Sequence, residues 1–155
     1  MHRPWVYPST TPAGFRRYIG HLKESRYEGF FVCRKRDDEI VGVVNVSEII
    51  RGPMNGAFVG YWLYDGFEGE GYMTEGLALV FDRAFDALAL HRLEVNIQPT
   101  NTASIALAKR LGLSKEGFSP KYLKIGGEWR DHERWAILAE DWRNRGGSMQ
   151  VASER

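Results

Sequence analysis

The chain has 155 residues, 43% of them hydrophobic and 26% charged, which suits one folded domain spanning residues 1–155 with a core of its own. A formal charge of +1 leaves no field of one sign to gather nucleic acid or an anionic membrane, so neither is expected as a direct partner. The single cysteine, Cys33, excludes an internal disulfide and a cysteine-rich metal site, and no metal is expected. Cys33 sits in the apolar run FFVC and reads as a buried small hydrophobe. With no secretory signal, spanning run or lipidation motif, the expected compartment is a reducing cytoplasm.

Basic residues crowd the start, where Arg3, Arg16, Arg17, Lys23, Arg26, Arg34, Lys35 and Arg36 face only Glu24 and Glu28. This reads as a solvated face, with an acidic or RNA-rich partner as the alternative. Pro4, Pro8 and Pro12 keep the first residues irregular. Residues 13–24 predict a short helix with Phe15, Tyr18, Ile19 and Leu22 on one face. EGFFVCRKRDDEIVGVVNVSE predicts a hairpin turning at Asp37-Asp38-Glu39, and RGPMNG leads through Pro53, Asn55 and Gly56 into a third strand, AFVGYWL. These three form an antiparallel meander.

The period then changes from two to 3.6. Leu77, Val80, Phe81, Ala84, Phe85 and Leu88 make one continuous stripe of a helix over about 73–90. LEVNI follows as a strand, with Leu93, Val95 and Ile97 on one face and Glu94 and Asn96 on the other. A second helix, capped by Asn101 or Thr102, stops at Gly112. KYLKIGGEWRDHERWAIL closes the sheet as two strands around Gly126-Gly127. The strand–helix–strand unit makes AFVGYWL and LEVNI parallel, and it puts the loop GFEGEGYMTEG at a strand's carboxyl end, where open α/β sheets bind ligands. Gly69 and Gly71 let backbone approach a ligand, and the helix amides behind them lack intrahelical partners at the positive end of the dipole. That is an anion site without a basic side chain.

IRGPMNGAFVGYW, the loop and its continuation GYMTEGLAL, HRLEVN, PTNTASIALAKRLGLSKEG and YLKIGGEWRDHERWAI together cover about residues 30–142. In that order they resemble the GNAT superfamily of acetyl-CoA-dependent N-acetyltransferases, and its ribosomal-protein alanine N-acetyltransferase branch above all. The resemblance implies an α/β (α+β) fold: a mixed, mostly antiparallel sheet with a central parallel pair flanked by helices. The family's first strand and helix are absent ahead of RPWVYPST. The family motif Gln/Arg-x-x-Gly-x-Gly/Ala falls on Glu68 to Met73. Gly69, Glu70, Gly71, Tyr72, Met73 and Thr74 would then hold the CoA pyrophosphate, with the amide near Leu63 polarising the thioester carbonyl. Glu68 stands where the family has Gln or Arg, and Glu70 where it often has a base. A like charge about 6 Å from the pyrophosphate, at an effective dielectric near 20, opposes binding by roughly 2–3 kcal/mol, and by a fraction of that when exposed.

The branch's Asn-x-x-Ser falls on Asn101 and Ser104, which implies that both bind CoA and that Ser104 protonates the thiolate; Tyr122 is the reserve acid. Glu94, on the polar face of its strand, is the expected general base, with Glu133 and His132 as alternatives. Arg130 and Asp131 pair across the sheet. A free α-amine ionises near 7.7–8 and lysine near 10.4, so neutralising lysine at pH 7 costs roughly 3.5 kcal/mol more. This favours the N-terminal α-amine of a polypeptide, ribosomal in the branch, as acceptor. A small-molecule amine or antibiotic, or a non-catalytic CoA-fold module that binds a protein, are the alternatives, and a homodimer is among the partners allowed.

Overall fold

A computed structural model describes residues 10–153. The expectation for Pro4 and Pro8 lies outside the described residues. Pro12 does not break structure. It occupies the first turn of helix α1 (Pro12–His21), where its missing N–H costs nothing, behind an N-cap Thr11 whose hydroxyl accepts from the Gly14 amide at 3.1 Å. No residue of α1 is buried, and Phe15 is exposed. The predicted apolar face is therefore only half covered, anchored chiefly by the Tyr18 hydroxyl donating to Asn45 Oδ1 at 2.7 Å.

Strands β1 (Glu28–Cys33), β2 (Ile40–Ile50) and β3 (Gly56–Leu63) form the expected meander. Helix α2 (Tyr72–Asp82) runs on as a π segment (Arg83–Ala87), and β4 (Arg92–Ile97) follows. Helix α3 (Thr102–Arg110) leads to the hairpin of β5 (Ser114–Ile125) and β6 (Glu128–Leu138). The chain ends in two short helices, α4 (Ala139–Asn144) and α5 (Gly147–Ser153). The strands lie in the order β1-β2-β3-β4-β6-β5, antiparallel throughout except for β3 beside β4. This is the mixed α/β sheet with one parallel pair that the sequence predicts. Among the described residues no helix is long and apolar enough to cross a membrane.

The core lies between the sheet and α2. Val44, Val46, Ala57, Val59, Leu93, Val95 and Ile97 face Leu77, Phe81 and Phe85. Gly76 permits the close approach, since a Cβ there would stand 2.7 Å from Val32 Cγ2. The π turn, closed by the Leu88 amide on the Arg83 carbonyl at 3.0 Å, adds one residue to the helix. It rotates the end of the stripe, so Leu88 is only half-buried while Leu90 is buried. Cys33 is exposed, against expectation, because it is the last residue of the edge strand and faces outward after buried Val32. Part of the basic start is neutralised, with Arg26 on Glu24 and Glu48, Arg34 on Asp37 and Glu39, and Arg36 on Asp37.

Helices α4 and α5, unpredicted, are tied to α2. The Trp142 ring packs edge-on to Phe81 at 5.3 Å, and its Nε1–H donates to Asp82 Oδ1 at 2.7 Å. The same carboxylate accepts from the Ser148 amide at 3.3 Å and from its hydroxyl. Trp142→Ala should cost about 3–5 kcal/mol in urea unfolding, since it leaves a cavity under Phe81 and removes a donor from Asp82. A loss below about 1 kcal/mol would show that the C-terminal helices add little to the core.

Candidate active site

Parallel pairing between β3 and β4 covers only Gly56–Arg92, Ala57–Leu93 and Phe58–Glu94. Beyond those pairs β3 runs on to Leu63 bonded to β2 alone, and β4 runs on to Ile97 bonded to β6 alone. The strands part, and a cavity of about 290 Å³ opens between them. Leu63 and Trp62 line it from β3, Asn96 from β4, Asn101 and Ser104 from α3, and His132 from β6.

At the mouth of the gap stands the glycine loop. Gly69 and Gly71 have φ of 79° and 77°, the left-handed region that favours glycine. Gly71 is the N-cap of α2 and, having no side chain, offers the first helical amides no cap bond. Those amides lie at the positive end of the α2 dipole. Tyr72 is half-buried, and Met73 and Thr74 are buried beneath the turn. Glu68 turns back on its own loop, its carboxylate accepting the Gly66 amide at 2.8 Å, and it is exposed, as is Glu70. Water and salt therefore screen both charges. A cation that the loop motif does not contain comes from α3: Arg110 Nη1 donates to Thr74 Oγ1 at 3.3 Å, in the first turn of α2. Open amides, left-handed glycines and this guanidinium fit a diphosphate. Sequence reasoning missed Arg110 because its partner lies on a different helix.

Inside the gap Asn101 caps α3, its Oδ1 accepting the Ser104 amide at 3.2 Å. The cap holds Ser104 on the first turn, in the cavity lining beside the Tyr61 phenol. Burial pushes that phenol up to about 12, against a smaller downward pull from Ser104, so Tyr61 stays protonated at neutral pH. Tyr61 was also missed. In GYWL it looks like one more apolar strand residue, and only the fold brings it to Ser104.

Asp65 and Glu68 line the cavity, but Glu94 and Glu133, the carboxylates expected as bases, do not. The Glu94 side chain is 17% exposed and accepts from Arg92 Nε at 2.7 Å, while Arg92 Nη1 donates to Glu116 at 3.0 Å. Glu94 is thus engaged in an ion-pair cluster beside the last parallel pair, outside the cavity lining. Glu133 is on the core face of β6, where Lys115 Nζ at 2.5 Å and Trp135 Nε1 at 3.0 Å hold its carboxyl below the usual range. Arg130 and Asp131 do not pair with each other: Arg130 bonds Glu128, and Asp131 accepts the Lys121 amide at 2.7 Å. His132 is buried in the cavity wall, with its Nδ1 2.9 Å from the Arg130 carbonyl oxygen. Tyr122, partly exposed in the β5 bulge, packs edge-on to that imidazole at 6.2 Å.

Known proteins resemble this chain in sequence and fold. Residues 1–114 match the acetyltransferase (GNAT) domain family. The probable N-acetyltransferase YjcK of Bacillus subtilis is 41% identical over 124 residues, 80% of this chain and 68% of the relative. The ribosomal protein uS5 alanine N-acetyltransferase of Escherichia coli is 33% identical over 135 residues, 84% of this chain and 70% of the relative. Among solved structures, Mycobacterium smegmatis RimJ in complex with CoA-disulfide is similar at a TM-score of 0.85 and 30% identity, over 98% of this chain and 77% of that one. With the parted strand pair and the open helix terminus in place, the conclusion is direct: the chain belongs to the GNAT acetyltransferase family and is an acetyl-CoA-dependent N-acetyltransferase.

Proposed function

We propose that this enzyme acetylates the N-terminal α-amine of a polypeptide, with ribosomal proteins as the acceptor class that the uS5 alanine N-acetyltransferase relative suggests. The observation that carries this is the pairing of an uncapped α2 terminus at one end of the gap with the Tyr61–Ser104 pair inside it. Acetyl-CoA, the co-substrate of this family, supplies an activated acetyl group on a thioester. Gly69 to Thr74 hold its diphosphate through backbone amides, Glu70 contributing main chain rather than charge, and Arg110 supports them from α3. The amide side of β3 near Leu63, free of a β4 partner, polarises the carbonyl. Asn101 positions the pantetheine end, and Ser104, beside Tyr61, gives a proton to the departing sulfur.

An α-amine is the acceptor this site handles best. The carboxylates expected as bases, Glu94 and Glu133, are tied to Arg92 and Lys115. With those carboxylates paired, an amine that ionises near 7.7–8 is neutralised roughly 3.5 kcal/mol more cheaply than a lysine side chain. The test compares peptides with free and blocked N-termini against a panel of small amines, read by thiol release. Turnover confined to free peptide N-termini is expected, and a preference for small amines over every peptide would overturn the proposal.

Arg110→Gln should weaken acetyl-CoA binding about tenfold in calorimetry, and Glu68→Arg should tighten it severalfold, each with more effect at low salt. Equal affinity in both variants would remove the diphosphate from the α2 terminus. Ser104→Ala should lower kcat about 100-fold with acetyl-CoA affinity nearly unchanged. Full turnover in that variant would take Ser104 out of the chemistry.

A further inference from the structure

Alternation along the strands divides the cavity between the two faces of the sheet. Val95 and Ile97 belong to the core face, and their β6 partners Trp135 and Glu133 share it. Tyr61, opposite Val44, is on that face as well, with Ser104 beside it. Trp62, Asn96 and His132 fall at the intervening positions and project to the opposite face, away from α2. The gap is therefore lined by a proton donor on one face of the sheet and an imidazole on the other.

The surroundings of that imidazole fix its chemistry. A carbonyl oxygen only accepts, so the nitrogen 2.9 Å from the Arg130 oxygen, Nδ1, carries the proton and Nε2 keeps its lone pair. Burial lowers the ring's pKa below its usual 6.5, outweighing the Arg130 carbonyl and the Asp131 carboxylate, which both raise it. Other titratable groups around it are Arg130 and Arg134 on its own face of β6, Tyr122 on β5 and, across the cavity, Tyr61, Asp65 and Glu68. Two residues from its register position on the neighbouring strand, Asn96 Oδ1 is buried with no hydrogen-bond partner among the described residues. Trp62 Nε1, on the same face, is in the same condition. A buried acceptor and a buried donor left open beside a basic nitrogen match an amine N–H and the first carbonyl of a peptide.

We propose that His132 is the general base, its Nε2 receiving the proton of an acceptor α-amine that enters from the face of Trp62 and Asn96. The inference rests on the acetyl transfer proposed above. As the amine nitrogen bonds the acetyl carbon, the C–S electron pair leaves on sulfur. Ser104 Oγ–H protonates that sulfur while the N–H proton passes to His132 Nε2. Solvent then returns a proton to Ser104 and takes one from His132, so the products are an amide and a thiol.

His132→Asn tests this, because its amide N–H can keep the bond to the Arg130 carbonyl while Nε2 is lost. It should lower kcat about 100-fold and leave acetyl-CoA affinity in calorimetry unchanged. With an aminooxy-terminated peptide, neutral across the range, the acid limb of the wild-type kcat profile should lie below the usual imidazole value and vanish in the variant. Nitrogen-15 spectra of histidine-labelled wild-type protein should show the neutral His132 ring protonated on Nδ1, a readout independent of turnover and of whether the variant folds. Full kcat in His132→Asn, or a neutral ring protonated on Nε2, would overturn the assignment. Wild-type protein that binds acetyl-CoA but acetylates no amine would instead overturn the transfer reaction itself.

Discussion

The whole site depends on where one ladder of hydrogen bonds stops. Had β3 and β4 stayed paired beyond Phe58 and Glu94, the sheet would be continuous and there would be no gap, only a wall of side chains. The two strands are held apart by their other neighbours. β3 remains on β2 as far as Leu63, and β4 remains on β6 as far as Ile97. Each keeps one full ladder, so parting costs only the main-chain groups that face the gap. Those groups are what a bound substrate can use, which turns an unmet hydrogen-bonding demand into an affinity.

The glycine loop solves a related problem with charge. Glu68 and Glu70 would oppose a diphosphate if they pointed at it in a dry site. Instead Glu68 is spent on the Gly66 amide, and both acids are in water, where their field is screened within about 10 Å at ordinary ionic strength. In the proposed site the attractive groups are the main-chain amides at the start of α2, fixed in direction. Arg110, reaching across from α3, adds a positive charge that no residue of the loop contributes.

The fold was largely legible in the sequence because its signals are local. The change of period after Gly71, the Asn101 cap and the Gly112 stop each mark a boundary that the structure keeps. What was not legible depends on contacts between distant segments. The π turn at Arg83 leaves no mark in an apolar stripe, yet it exchanges Leu88 for Leu90 in the core. Exposure of Cys33 follows from its strand being an edge, which FFVC does not reveal. Trp142 looks like tail sequence until Asp82 and Phe81 are placed beside it. The site shows the same split: Gly69, Gly71, Asn101 and Ser104 stand in short motifs, whereas Tyr61 and Arg110 matter through partners 43 and 36 positions away. Glu94 has the alternation expected of a group facing the gap, but Arg92 and Glu116 form a competing ion-pair cluster that no strand pattern encodes.

In the proposed mechanism, burial sets Tyr61 and His132 to opposite protonation states. Desolvation disfavours whichever form of a group is charged. For the Tyr61 phenol the charged form is the deprotonated one, and burial drives its pKa up to about 12. For the His132 imidazole the charged form is the protonated one, and burial drives its pKa down. Burial on each face of the sheet therefore favours the protonated phenol and the unprotonated imidazole. The proposed mechanism uses both states: a neutral phenol beside Ser104, the proton donor, and a neutral imidazole to take the amine proton. A wetter opening would draw both values back toward ordinary ones, so the narrowness of the parted strands shapes the protonation chemistry as well as the binding.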